Sequence, residues 1–538
     1  MPGWNFADVW EAVADRLPDA PAAVHGGRRT AWAELDRRAD GVAAALLAAG
    51  VARQDKVAQY LHNRPEYLES VYACYKAGLA PVNTNYRYAD DELAYLWDNA
   101  DAVAVVFQGT FAERADRVRP RVPGVRTWLW VDDGTAPCPD WAVPYEAAAT
   151  SPPPGRVVPP WGRSGDDLYL LYTGGTTGMP KGVMWRQHDL FLLLNAAAFV
   201  RYPEDAGPEV VATTIAGPGP VHLPACPLMH GTGALTSFSA FDSGGCVVTL
   251  PSTSFDVVEL LDTIERERVN TLAIVGDAFA KPMLRALDEH PGRWDLSSLR
   301  VIGSSGVMWS EETKQGLLRH HPGLILADAF ASSEALGMGT SVSTAGGTTR
   351  TAKFVLGENT RVVTDDGRDV VPGSGDVGRV AVRGRTPVGY YKDPAKTAAT
   401  FLEIDGERYS VPGDYATVDA DGTLRLLGRG SVCINTGGEK VFPEEVEEAL
   451  KTHPAVRDAV AVGVPDERFG EAITAVVEPA PGAALDEADV IAHVKARLAS
   501  YKAPRRVIAV DAIGRAPNGK VDYRRLRRLA EERVGATP

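Results

Sequence analysis

Cysteine is scarce in this 538-residue chain: Cys74, Cys138, Cys226, Cys246 and Cys433 are all it has. They are scattered, odd in number and without metal-ligand spacing, which argues against a disulfide framework or a cysteine metal site and fits reduced, buried thiols. Basic charge is also short. Lys and Arg number 56 against 70 Asp and Glu, a net charge of −14, so no broad basic face is expected to displace counterions from a nucleic acid. The same balance gives no global attraction for an anion, and any nucleotide must be held by local cations and N–H groups. Long hydrophobic runs are missing: the stretch 190–200 is interrupted by Asn195 and is too short to span a bilayer. The opening residues lack a basic region followed by an apolar core, so no signal peptide is expected and a cytoplasmic location is.

The length predicts roughly three or four structural units. Residues 7–50 read as helices joined by a strand or turn at 28–30. An α/β alternation follows, with strands at 57–61, 80–83 and 102–107 and helices at 65–77 and 90–99. A proline- and glycine-rich connection covers 136–166. A second alternation sets strands at 245–250, 271–275, 301–302 and 324–326 against helices at 257–268, 278–288 and 310–319. Such alternation implies a largely parallel, covered sheet. From 348 to 427 short strands with Asp366-Gly367 and Asp421-Gly422 turns suggest a β-rich subdomain. Gly428-Arg429-Gly430-Ser431 looks like a boundary. The expected fold class is therefore α/β, with a large N-terminal domain (1–428) of two α/β subdomains plus the β-rich one. A small, mobile α+β domain (429–538) follows.

What the chain does have is glycine and threonine packed around one lysine. Tyr172-Thr173-Gly174-Gly175-Thr176-Thr177-Gly178-Met179-Pro180-Lys181-Gly182 follows the apolar run 168–171. A strand ending in such a loop brings bare N–H groups, hydroxyls and a cation to one place, because glycine permits close backbone approach. That suits a polyphosphate. It is not the common P-loop, in which Ser or Thr follows Gly-Lys to hold the metal. A glycine-rich surface turn is the plainer reading, and the doubled pairs with the Pro-Lys-Gly ending weigh against it.

Three further segments carry chemistry. Phe330-Ala331-Ser332-Ser333-Glu334 follows an expected strand end, where α/β sheets put ligands. A carboxylate near a polyphosphate needs a divalent cation between them, which makes Glu334 a Mg²⁺ candidate; taken alone, the segment reads more plainly as a capping serine beside an ordinary glutamate. Asp414, after Pro412-Gly413, is either a ribose ligand or a plain turn aspartate. Arg515-Ala516-Pro517-Asn518-Gly519-Lys520-Val521 puts a lysine on an exposed turn, either solvated or deliverable to a site by domain movement.

In this order the segments resemble the adenylate-forming superfamily: acyl-CoA synthetases, adenylation domains of peptide synthetases and firefly-type luciferases. Lys76-Ala77-Gly78-Leu79-Ala80-Pro81-Val82-Asn83, Pro227-Leu228-Met229-His230-Gly231, Gly389-Tyr390-Tyr391, Gly428-Arg429 and Gly437-Gly438-Glu439-Lys440-Val441-Phe442-Pro443-Glu444-Glu445-Val446-Glu447 extend the likeness over about 30–526. Gly428 to Glu447 and Trp185-Arg186 look most like actinobacterial-type synthetases for fatty or steroid side-chain acids. The resemblance implies two half-reactions: a carboxylate attacks the α-phosphorus of ATP, releasing pyrophosphate, and a thiol, usually that of coenzyme A, then attacks the acyl-adenylate and releases AMP. It further implies that Thr173, Gly174, Gly175, Thr176, Thr177, Gly178 and Lys181 wrap the phosphates, and that Thr173 and Glu334 hold Mg²⁺. Ser304, Ser305, Gly306, Asp328, Ala329, Phe330 and Ser333 would border adenine and acyl group. Asp414 and Arg429 would reach the ribose. Lys520 would bridge carboxylate and phosphate, His230 would shield the acyl carboxylate, and residues 435–440 with Lys440 would turn toward the thiol. The chain departs from the pattern at Ser431, where the hinge usually has Asp or Lys, and at Phe330-Ala331, which replaces Tyr-Gly.

Specificity is expected from Gly231, Thr232, Gly233, Ala234, Leu235, Phe238, Gly276, Asp277, Ala278 and 304–308. Several are small, leaving room for a bulky apolar acid, with an aromatic acid as the alternative. Asp277 reads as the N-cap of the helix 278–288. The arginines between 505 and 528 either meet coenzyme A phosphates or form the solvated face of a terminal helix. A stand-alone carrier protein is the alternative acceptor. The partners expected are the acid, ATP and coenzyme A, with no nucleic acid and no transmembrane segment, and a monomer or homodimer.

Overall fold

The computed structural model describes residues 3–173, 179–307, 309–347, 352–436, 439–466, 470–498, 500–516 and 519–535, without the side chains of Arg429, Ser431, Asn435, Glu439 and Lys440. The chain divides into two compact units. The first holds Met1–Gly175, Met179–Thr351 and Arg383–Ser410; the second holds Ala352–Val382 and Val411–Pro538.

Two sheets build the first unit. One runs in the order Gly389–Tyr390, Lys181–Arg186, Leu168–Thr173, Ala80–Asn83, Lys56–Tyr60, Ala102–Gln108, Thr127–Val131 and Val143–Pro144. Its centre is parallel, and the edge that opens toward the glycine loop is antiparallel. The helix Pro65–Lys76 joins two parallel strands and is buried on every side. Pro65 suits its first turn, where no N–H partner is needed, and Lys76 at its end is buried with Asp36, Glu11 and Asp40 around its ammonium at 2.7, 2.8 and 3.0 Å. The other sheet runs Arg28–Ala31, Pro21–His25, Cys246–Thr249, Val221–Pro224, Thr271–Ile274, Val301–Ser305, Ile325–Ser332, Ala335–Ser343. It is parallel except at its two ends.

The alternation read from the sequence stands, with three differences. Pro21–His25 is a strand where helix was expected. The connection 136–166 contains the helix Tyr145–Ala149. The strand expected to stop at 326 continues to Ser332, because it pairs back on Ala335–Ser343 in a hairpin.

In the second unit Lys353–Leu356, Leu424–Arg429, Asp414–Val418, Gly378–Arg383 and Thr360–Val363 pair antiparallel in that order. Gly367 and Gly422 sit at φ +83° and +79° in the Asp-Gly turns, a conformation glycine adopts without strain. Strands Ile434–Thr436, Glu439–Val441, Val456–Asp466, Gly470–Pro479 and Arg506–Ala509 form a further sheet. The helices Pro443–Lys451, Glu487–Lys495 and Tyr523–Gly535 accompany it. The α/β class, with its β-rich section and small α+β end, is as expected.

Candidate active site

The phosphate-loop candidate is flanked by two paired strands. Leu168–Thr173 pairs with Lys181–Arg186, and Thr173 stands opposite Lys181. Gly174, Gly175, Thr176, Thr177 and Gly178 lie outside the described residues. The strand entering the loop is fixed by Asn83, a residue to which the sequence assigned no role. Its Oδ1 accepts from Tyr172 N at 2.6 Å, and its Nδ2 donates to Tyr172 O at 2.8 Å and to Met229 O at 2.7 Å. One buried amide thus ties the loop's strand to the segment that leads into His230. Lys181 pairs with Asp393, also unforeseen. That bond leads the influences holding the Asp393 carboxyl below its ordinary value, with the Lys396 amide adding to it.

Glu334 sits in the tight turn of the 325–343 hairpin, not in a loop beyond a strand, and is buried. Its Oε1 accepts from Tyr390 OH at 2.6 Å, and its backbone carbonyl accepts from Ser410 Oγ at 2.7 Å. The neighbouring Ser333 carbonyl accepts from Trp185 Nε1 at 2.9 Å, Trp185 being on the loop's return strand. Glu334 is therefore braced by strands Lys181–Arg186, Gly389–Tyr390 and Glu407–Ser410 together. Among the described residues no group of three or more His, Cys, Asp and Glu side chains could hold a metal ion. Glu334 and Thr173 are hard oxygen donors of the kind that hold Mg²⁺ through one carboxylate and substrate phosphates.

Ser304, Ser305, Asp328, Ala329 and Phe330 come together at the carboxyl ends of adjacent parallel strands, with Ser304 opposite Asp328 and Ser305 opposite Ala329. Gly306 follows at φ +92°. Ser304 Oγ accepts from Gly276 N at 2.9 Å, and Gly276 is itself at φ +51°. The Asp328 carboxylate is occupied by the buried Lys314 ammonium at 3.1 Å. Burial still pushes its pKa up against that attraction.

Two pocket expectations change. Asp277 is not the cap of its helix: the helix begins at Asp277 with Gly276 in the cap position, and Asp277 Oδ1 instead accepts from Ser310 N and Oγ at 3.1 and 3.0 Å. Phe238 is fully buried and packs on Phe6, Trp10, Tyr75 and Tyr169 in the core. Gly231, Leu235 and Phe238 are spaced i, i+4, i+7, which puts them on one helical face, and that face turns inward. His230 is the cap residue of this helix, Gly231–Asp242, and is half-buried. A Cβ on Gly231 would meet Leu171 of the loop strand at 3.4 Å, and one on Gly233 would meet Pro227 O at 2.5 Å.

In the second unit Asp414 and Arg429 stand opposite each other on paired strands. Asp414 is buried. The side chains of Arg429 and Lys440 are outside the described residues. Lys520 is exposed on a loop pinned from behind. Ala516 N donates to Lys520 O at 2.8 Å. Arg515 grips Asp458 at 2.6 and 2.9 Å and donates to Gly519 O at 3.1 Å. Burial raises Asp458, but the Arg515 fork and Lys451 outweigh it and hold the carboxyl below its ordinary value.

The sequence matches the family model described as AMP-binding enzyme over residues 10–391 and that of the AMP-binding enzyme C-terminal domain over 445–520. The chain belongs to the AMP-binding enzyme family. This AMP-binding enzyme is 41% identical, over 98% of its length and 97% of the relative's, to the medium/long-chain-fatty-acid–CoA/3-oxocholest-4-en-26-oate–CoA ligase of Mycolicibacterium smegmatis. It is 42% identical, over 99% and 96%, to the 3-oxocholest-4-en-26-oate–CoA ligase of Rhodococcus rhodochrous. The indoleacetate–CoA ligase of Aromatoleum aromaticum is 31% identical over 94% of each chain. ATP-bound MatB from Rhodopseudomonas palustris shares the fold at a TM-score of 0.79, with 26% identity over 98% and 99%. An anthranilate CoA ligase with anthranoyl-AMP shares it at 0.83, with 21% identity over 99% of each chain.

Proposed function

We propose that the chain is an ATP-dependent acyl-CoA ligase that makes an acyl-adenylate and pyrophosphate, then passes the acyl group to coenzyme A with release of AMP. The observation that carries this reading is the end-to-end likeness to fatty-acid and steroid-acid CoA ligases at 41–42% identity. The favoured substrate is an apolar fatty or steroid side-chain acid. The aromatic alternative rests on a relative at 31%.

In this scheme the first step brings an anion to a polyanion, so alignment and charge neutralisation supply most of the rate. Thr173, Lys181 and the loop amides between them bind the β- and γ-phosphates. Thr173 and Glu334 are the residues to hold Mg²⁺, which supplies Lewis-acid screening of the attacked phosphate when bound. Ser304, Ser305, Gly306, Ala329 and Phe330 border the base and acyl group, with the Phe330 ring stacking on adenine; Asp328 lends its strand position, since its carboxylate is committed to Lys314. Asp414 and Arg429 take the ribose. Lys520 neutralises the charge developing between carboxylate and α-phosphate, and His230 covers the acyl carboxylate. The C-terminal part of the chain turns about residues 429–431 between half-reactions, withdrawing Lys520 and presenting Lys440 to the thiol, a hinge-type switch. No helix among the described residues is long and apolar enough to cross a membrane, and we place the enzyme in the cytoplasm.

The test is AMP release from ATP and Mg²⁺ with acids of graded length and ring count, with and without coenzyme A. Thioester from fatty or steroid acids, detected by mass spectrometry, is expected. AMP formation indifferent to coenzyme A, with no thioester, removes the reading in favour of a carrier-protein acceptor or an enzyme that stops at the adenylate.

A further inference from the structure

The segment 389–397 contributes no residue to the scheme above, yet it touches both charged groups at the phosphate site. Tyr390 donates its phenol to Glu334 Oε1 at 2.6 Å, and Asp393, three residues on, pairs with Lys181. The segment is rigidly built. Gly389 and Tyr390 pair with Met184 and Val183 of the loop's return strand. Tyr390 N donates to Thr397 Oγ1 at 2.9 Å, and Thr397 Oγ1 donates to Asp393 O at 2.8 Å. A Cβ on Gly389 would meet Thr397 Cγ2 at 2.6 Å, so the turn closes this tightly only around glycine. Asp393 Oδ1 also accepts from Lys396 N at 2.8 Å and caps the helix Pro394–Thr400. Its carboxylate is fixed by the backbone even if the lysine leaves.

The arrangement has a chemical logic. A lysine and a glutamate serving one polyphosphate attract each other when no nucleotide is present, and a direct Lys181–Glu334 pair would close the site. Here each has a different partner. The Glu334 partner is a neutral donor, which orients the carboxylate without cancelling its charge toward a cation. The Lys181 partner is a half-exposed carboxylate, a pair weak enough for phosphate to displace. We propose that the segment 389–397 is the orienting clamp of the adenylation site, with Tyr390 fixing the Glu334 carboxylate for the metal and Asp393 parking the Lys181 ammonium until phosphate takes it. This rests on the ligase reading. Tyr390 and Asp393 are positioning residues.

ATP binding to the full chain is measured by titration calorimetry with and without Mg²⁺, for wild type, Tyr390→Phe, Asp393→Asn and Glu334→Gln. Asp393→Asn keeps the cap and removes the competing charge, so Mg²⁺-free ATP binding tightens roughly 1.5- to 5-fold, the scale of an exposed ion pair. Tyr390→Phe leaves Mg²⁺-free binding as it was and costs roughly 10- to 100-fold in the Mg²⁺-dependent part, as loss of a group that orients a metal ligand does. Glu334→Gln reproduces that loss, and combining it with Tyr390→Phe adds nothing further. Asp393→Ser, which also caps, carries the charge test if the amide variant does not fold. Variants that bind like wild type, or that weaken ATP equally with and without Mg²⁺, overturn the clamp. A wild-type chain that releases no AMP with any acid sinks the ligase reading instead.

Discussion

Replacing Arg515 by methionine is the sharpest test of how Lys520 is delivered. Arg515 makes two charge-assisted bonds to Asp458 and one to Gly519 O, and about a fifth of each charged side chain is exposed, 19% and 20%. Methionine fills similar length but leaves Asp458 half-buried with only Lys451, at 3.6 Å, as a cation. Breaking a fully buried pair costs roughly 3–5 kcal/mol. With this exposure the lower end applies, about 3 kcal/mol, spent on the part of the chain that carries Lys520. The loop 515–520 then loses its fixed end, and a displacement of about 1 Å in a reacting group lowers rate roughly 10²-fold. Pyrophosphate release in the first half-reaction should fall by that factor, while thioester formation from supplied acyl-AMP falls far less. Thermal unfolding of the variant separates misplacement from loss of fold. Equal losses in both half-reactions from a folded variant would falsify the view that Arg515 acts by aiming Lys520.

Lys520→Ala should nearly abolish adenylation and spare thioester formation from supplied acyl-AMP, read in the same two assays; parallel loss contradicts the turning-domain scheme. Asn83→Leu strips partners from Tyr172 N, Tyr172 O and Met229 O at a buried position, and each orphaned group costs about 1–3 kcal/mol. Urea unfolding should show at least about 3 kcal/mol lost, with adenylation falling even where the fold persists. His222 is buried between Thr271 and Thr236 Oγ1 atoms at 2.9 and 3.0 Å, and burial pushes it down to about 4 from 6.5. Between those values the unfolded chain takes a proton that the folded chain refuses, so stability present above pH 6.5 is lost as pH falls toward 4, by about 3 kcal/mol in total. His222→Gln should flatten that slope in urea titrations at pH 7 and 4.5; an unchanged slope assigns the acid sensitivity elsewhere.

The α/β alternation was legible because buried parallel strands and amphipathic helices leave strong periodic signals. The Asp-Gly turns were legible because glycine at positive φ is a local requirement. Pro21–His25 escaped notice because a strand of five residues, hairpin-paired to Arg28–Ala31 on one side and to the distant Cys246–Thr249 on the other, carries little local pattern. The continuation of the strand to Ser332 was hidden for the same reason: its partner, Ala335–Ser343, is glycine-rich and lacks alternation. At the site, the residues that meet a nucleotide by family likeness stood out as motifs. Asn83 and Tyr390 sat inside such motifs without a visible role, and Asp393 and Asp458 sat in none, since each works through a contact with a residue 56 to 212 positions away. Asp393 still left a signal, a charge beside Gly389-Tyr390-Tyr391 just before Pro394. Phe238 was misjudged because nearness to His230 in sequence said nothing about which way the helix faces.

The single amide at position 83 has a practical bearing on redesign. With ATP at the glycine loop and the acid under His230, as proposed, it gives the two ends of the centre a common anchor, so neither can be reshaped in isolation. Library screens that vary residues near His230 to accept new acids should expect the apparent affinity for ATP to drift with every change that nudges Met229. Campaigns that score product alone will discard altered-selectivity variants whose only fault is a loosened nucleotide grip.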